Sequence, residues 1–194
     1  MEFDTPDYSD VKIISATGGL IAPFEPRIEW LRGLNYKWFV PAVLAGLPRF
    51  GNQTGQLPYS VAQHSLTLLS VLDDPVHQRW ALGHEVFEAL TGMDVLTPLK
   101  NTWPAYIQAE DETLAIFANI YELPFPIPDE VKEADFRVGV AEAKWLFPET
   151  DWDALYPGTE PIKASWPPIM EYGRARGHMT DRWKEIMEPH RKLR

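Results

Sequence analysis

Residues 76–91 read VHQRWALGHEVFEALT, and Trp80, Leu82, Val86, Phe87, Ala89 and Leu90 cover more than one face of a helix built there. A helix that is apolar on several sides has to be surrounded. The segment therefore predicts one central helix with packed neighbours. Clusters of Pro and Gly mark where those neighbours begin and end: 48–59 (PRFGNQTGQLPY), 92–104, 122–128 (ELPFPIP) and 148–168. The pieces between them predict helices over 27–34, 38–47, 61–72, 105–121, 130–147 and about 168–188. Ser60 and Asp129 are the expected N-caps of the helices they precede. Gly173 and Gly177 in the last helix read as a kink or a close crossing. Residues 11–24, VKIISATGGLIAPF, place β-branched residues around a Thr-Gly-Gly turn and predict a short hairpin that has to pack on something. The expected fold is all-α, a helical bundle with a small N-terminal β-hairpin. One domain over 1–194 is expected, with a core at about 27–147 and residues 148–194 as a C-terminal extension and helix.

The chain has no cysteine, which excludes disulfides and thiolate metal sites. Any metal must be held by His, Asp or Glu. With 28 acids against 18 bases the net charge is -10. Such a surface repels a nucleic-acid polymer, though a small phosphorylated ligand needs only a few local cations. No apolar run approaches a membrane span. The start, MEFDTPDYSD, is acidic where a signal peptide is basic. A cytoplasmic protein with neither a membrane nor a nucleic-acid partner is expected.

Among five histidines, His77, His178 and His190 sit in polar surroundings and read as surface residues. His64 and His84 each sit inside an apolar helix, and the two helices are consecutive. Glu88 shares a face with His84, four residues away, while Glu85 lies about 100° round the helix. Burying carboxylates there is expensive unless they are paired or bind a cation. A divalent ion would resolve that cost for His64, His84 and Glu85 together. Spacing alone leaves two readings open, a metal site and a pair of hydrogen-bonded core histidines. The zinc-protease pattern His-Glu-x-x-His is absent, because position 88 is Glu.

YSVAQHS (59–65), HEVFEALTGMDVLTPLK (84–100) and VKEAD (131–135), in that order, resemble the HD-domain phosphohydrolases, and among them the compact 5'-deoxynucleotidase-like branch of bacteria, prophages and phages. RFGNQT (49–54) resembles that branch's Arg-Phe loop, and ATGG (16–19) its N-terminal hairpin; the likeness spans roughly 14–147. The resemblance implies an HD-type bundle and a divalent ion (Mn, Co, Zn, Fe or Mg) on His64, His84, Glu85 and Asp135. It implies Glu88 as the carboxylate that handles the proton of the attacking water, and Asp94 as the acid near the leaving oxygen. Arg49 matches an arginine facing phosphate and sugar, next to Phe50. Lys100 and Lys132 fall in matching segments, as possible phosphate contacts. Phe50, Trp80, Trp103 and Trp145 offer rings on which a base can stack.

This sequence departs from the branch in three places. Glu85 stands where the branch has the aspartate of the His-Asp pair. GMDVL carries one residue more than the matching Gly-Asp-Ile-Pro, which displaces Asp94. Gln53 replaces a frequent histidine. The implied activity is hydrolysis of a nucleotide phosphate ester, foremost of a deoxynucleoside 5'-monophosphate. Release of triphosphate from a dNTP, as in phage enzymes of the dATP type, is the alternative within the same chemistry. A non-catalytic nucleotide-binding domain is the alternative from another class, raised by Glu85. Members of the family often self-associate, so a homo-oligomer is a further implication.

Overall fold

The computed structural model describes residues 8, 10–14, 19–55, 58–162 and 168–192, and these are mostly helical. Strands β1 (Ile13–Ile14) and β2 (Leu20–Ile21) pair antiparallel, with Ile13 opposite Ile21 and Ile14 opposite Leu20. The Thr17-Gly18 part of the expected turn lies outside the described residues. Two such short strands are not stable alone. The hairpin is held because Ile21 is buried in the main core and Ile13 packs against it.

Ten helices follow: α1 (Ile28–Arg32), α2 (Tyr36–Gly46), α3 (Val61–Ser70), α4 (Pro75–Gly83), α5 (Val86–Thr91), α6 (Thr97–Lys100), α7 (Pro104–Tyr121), α8 (Asp129–Leu146), α9 (Trp152–Leu155) and α10 (Tyr172–Ile186). The expected single helix over 76–91 is two, broken at His84 and Glu85. The side chain of His84 explains the break. Its Nδ1 lies 3.1 Å from Ala81 O and 3.2 Å from Trp80 O, so the imidazole takes up the Ala81 carbonyl that the Glu85 N–H would otherwise reach. The expected loop over 92–104 contains the one-turn α6, started by Pro98 in its first turn. Asp129 is the first residue of α8 rather than its cap; Pro128 holds the cap position without a side-chain bond. Gly173 and Gly177 mark no close crossing, since a Cβ at either would meet nothing within 4 Å.

Ser60 caps α3 as expected, its Oγ accepting from Gln63 N at 3.2 Å. Ser60 is itself buried. Ser60→Ala is therefore expected to lower stability by about 1 kcal/mol, read as a lower urea midpoint at unchanged slope. Asp74 caps α4 on the N–H groups of Val76 and His77, with Pro75 in the first turn.

The core gathers around a cluster of fully buried rings: Tyr36 from α2, Trp80 from α4, Phe117 and Tyr121 from α7, and Trp183 from α10. Helix α4 packs on α3 and α8, and α5 on α2 and α7. The segment 75–91 is thus enclosed on several sides, as its composition requires. Trp80 belongs to this core, with Nε1 donating to Pro124 O at 3.1 Å, and Trp103 packs on Tyr106. Neither forms a wall for a base. Among the described residues no helix is long and apolar enough to cross a membrane.

Candidate metal centre

Three elements bring their polar residues to one point. Helix α3 delivers His64, the α4–α5 break delivers His84 and Glu85, and α8 delivers Asp135. One donor atom each from His64, His84 and Asp135 lie within 4.8 Å of one another. Asp135 Oδ1 is 2.8 Å from His64 Nε2 and 3.8 Å from His84 Nε2. Glu85 Oε1 is 3.3 Å from His84 Nε2 and 3.9 Å from His64 Nε2.

Both rings present the same nitrogen to this point. The Nδ1 of His84 faces the Trp80 and Ala81 carbonyls, and the Nδ1 of His64 faces the carboxylate of Glu142 at 3.0 Å. Facing acceptors, each Nδ1 is placed to donate, and each Nε2 is turned toward the carboxylates of Asp135 and Glu85. Both Nε2 atoms are buried, and neither makes a well-directed hydrogen bond despite the nearby carboxylates. Donors held about 2 Å from one cation stand roughly 3–4 Å apart, which is the spacing found. Two imidazoles and a carboxylate, without sulfur, suit Mn, Fe, Co or Zn. The residues present therefore fit a divalent ion. Glu85 lies at the edge of the group and also meets Arg49, with Nη1 3.4 Å from Oε1.

His84, Glu85 and Asp135 form one wall of a cavity of about 260 Å³, with His64 behind Asp135. Six carboxylates line it (Glu85, Glu88, Asp94, Glu110, Asp111 and Asp135) against two cations, Arg49 and Lys100. Arg49 precedes a single left-handed turn, with φ at 56° for Phe50, 59° for Gly51 and 60° for Asn52. Each non-glycine residue there costs roughly 1–2 kcal/mol. Arg49 N donating to Tyr59 O at 2.8 Å pins the start of the turn. The turn aims the guanidinium inward, between Glu85 and Glu142.

Burial, together with the charges of Glu85 and Asp94, pushes the Glu88 carboxyl well above the usual carboxylate range, against Arg49. Burial also raises Asp94, opposed by Arg49 and reinforced by Glu85. Burial works against ionisation of Asp135 too, but the His64 and His84 rings beside it outweigh that and hold the carboxyl down. Two kinds of carboxyl thus share one cavity, one whose ionisation burial opposes and one whose ionisation the histidines favour.

Of the residues the motifs single out, His64, His84, Asp135, Glu85, Glu88, Asp94, Arg49 and Lys100 converge here. Lys100 is ion-paired with Glu110 and lies over the Tyr106 ring. Phe50 stands behind Arg49, which lies over its ring at 5.5 Å, and packs edge-on against Phe147. Lys132 lies away from the cavity, exposed on the first turns of α8, with Nζ 3.4 Å from Asp129. Sequence reasoning missed Glu142, Glu110 and Tyr59. Glu142 falls seven residues after Asp135, two turns along the same face, and that spacing was the available signal.

The class this arrangement defines is a mostly helical protein with a candidate His-His-carboxylate metal centre. No family model matches the chain. Over 125 residues it is 31% identical to an uncharacterized protein of Rhodobacter capsulatus, the match covering 58% of this chain. The chain spans 63% of that relative's length.

Proposed function

We propose that the protein is a metal-dependent phosphohydrolase of the HD type that converts deoxynucleoside 5'-monophosphates to deoxynucleosides and phosphate. The observation that carries this reading is the convergence of His64, His84 and Asp135 beside a cavity that also holds Arg49 and a buried Glu88. His64, His84 and Asp135, with Glu85 beside them, would hold a divalent ion, which would supply Lewis acidity toward a phosphate oxygen and lower the pKa of water. The chain's own residues supply the rest. Arg49 offers a planar fork to phosphate oxygens, oriented by carboxylates on two sides. Glu88 lines the same cavity and, with its proton affinity raised, is suited to handle the proton of the attacking water. Asp94, also raised, is suited to protonate the leaving oxygen.

Two features favour the monophosphate over the triphosphate. The cavity of about 260 Å³ is below the ~300 Å³ at which clefts for drug-sized ligands begin. Its six carboxylates against two cations oppose a tail of several negative charges. Lys132, which would help neutralise a longer tail, lies elsewhere.

The test is product analysis with the purified protein and Mn²⁺ or Co²⁺ across dNMPs, NMPs and dNTPs. Inorganic phosphate from dNMPs is expected. Triphosphate from dNTPs would replace the monophosphate reading. No product from any nucleotide, together with hydrolysis gained by Glu85→Asp, would leave a nucleotide-binding protein. Arg49→Lys keeps the charge but loses the fork. A hydrogen bond between charged groups contributes about 1.5–3 kcal/mol, so KM for the dNMP is expected to rise about tenfold or more in steady-state kinetics.

A further inference from the structure

Glu142 is the most completely buried acid of the described residues, with no exposed surface at all. It lies on α8 between Ala141 and Ala143, and both of its carboxylate oxygens face inward. Three elements send it a donor. Tyr59 OH, from the segment before α3, donates to Oε1 at 2.8 Å. His64 Nδ1 stands 3.0 Å from both oxygens. Arg49 Nε stands 3.4 Å from Oε2. A buried carboxylate without partners would be strongly destabilising, and here every contact goes to a residue of the candidate centre or its supporting strand of chain.

We propose that Glu142 is the positioning residue of the centre. It holds the His64 ring so that Nδ1 carries the hydrogen and Nε2 faces the cation, and it anchors Arg49 on the same carboxylate. The geometry is that of a carboxylate–histidine–metal relay, in which the outer acid sets the tautomer and basicity of the ligand. The role is more than packing. A residue needed only to fill space between α3 and α8 would be served by an apolar side chain, as Ala141 and Val138 are on the same helix. Helix α8 thereby contributes twice, with Asp135 at the cation and Glu142 behind His64, two turns apart on one face. The inference rests on the metal reading of His64, His84 and Asp135.

Two measurements on the full chain test it. In the Zn²⁺-loaded wild-type protein labelled with ¹⁵N-histidine, long-range ¹H–¹⁵N spectra are expected to show His64 protonated at Nδ1 and metal-bound at Nε2. The opposite tautomer would overturn the proposal, and this measurement needs no variant to fold. In Co²⁺ titrations, Glu142→Gln keeps the size of the side chain and removes its charge. It is expected to weaken Co²⁺ binding roughly 10–100-fold and to change the visible absorption of the bound ion. Tyr59→Phe, which removes one bond to Glu142 and leaves its charge, is expected to weaken binding less. Wild-type affinity and an unchanged Co²⁺ spectrum in Glu142→Gln would reduce Glu142 to a structural acid. That result would leave the metal reading standing. Failure of the wild-type protein to take up Co²⁺ or Zn²⁺ at all would remove both.

Discussion

The His84→Ala protein is expected to lose Co²⁺ uptake and to release phosphate from dNMPs no faster than the metal-free wild type. The effect should exceed the roughly 10–100-fold loss that follows removal of an outer partner, because a donor to the ion itself is gone. His84 is also held where it is by the helix break, through Nδ1 on the Trp80 and Ala81 carbonyls. Alanine removes that bond as well. Some loss of stability is therefore expected, and it must be separated from loss of the site. Calorimetric Co²⁺ titration below the unfolding range does so. If His84→Ala binds Co²⁺ as tightly as wild type, the two histidines are a hydrogen-bonded core pair, and the centre described above is not a metal site.

Gly83→Ala is expected to destabilise the fold and to disturb the centre at the same time. A Cβ built on Gly83 would lie 2.7 Å from Phe117 Cζ and closer still to another atom of the ring. Phe117 has nowhere to go. It is fully buried and touches Tyr36, Trp80, Tyr121 and Trp183. Overpacking of this kind costs about 1–3 kcal/mol. Alanine recovers up to about 1 kcal/mol of helix propensity over glycine. With a Cβ this close to a ring that cannot move, the steric cost lies at the upper end of that range, and the expected net loss is about 2 kcal/mol by urea denaturation. Because His84 is the next residue, the backbone shift that relieves the clash also moves a ligand. Weaker Co²⁺ binding should accompany the lower midpoint. A variant as stable as wild type would mean that α4 and α7 do not approach as closely as Gly83 implies.

Much of the architecture was legible before any coordinates. Segment boundaries followed Pro and Gly, and Ser60 read correctly as a cap because a hydroxyl beside an orphan N–H is a local interaction. The break at His84 was not legible. Periodicity runs unbroken through WALGHEVFEAL, and nothing local announces that the imidazole of His84 will turn back onto Trp80 and Ala81. Asp129 was misread for a related reason: a favourable cap residue next to a Pro can be displaced by one position, and Pro128 took the cap.

The candidate centre divides in the same way. His64 and His84 stood out because a histidine is conspicuous in an apolar helix. Glu142 did not, because AEAKW reads as an ordinary solvated turn, and a carboxylate's burial depends on what faces it from α3. Lys100 and Lys132 looked alike in sequence. Lys100 lines the cavity against Glu110, and Lys132 stands in solvent beside Asp129. Helix-forming segments, most of their ends, and the demand that 75–91 be enclosed come from interactions within a few residues and from apolar content, so the chain carries them openly. Which carboxylate meets which imidazole depends on contacts such as the 78-residue separation of His64 from Glu142, where desolvation and charge pairing act only once α3 and α8 have packed.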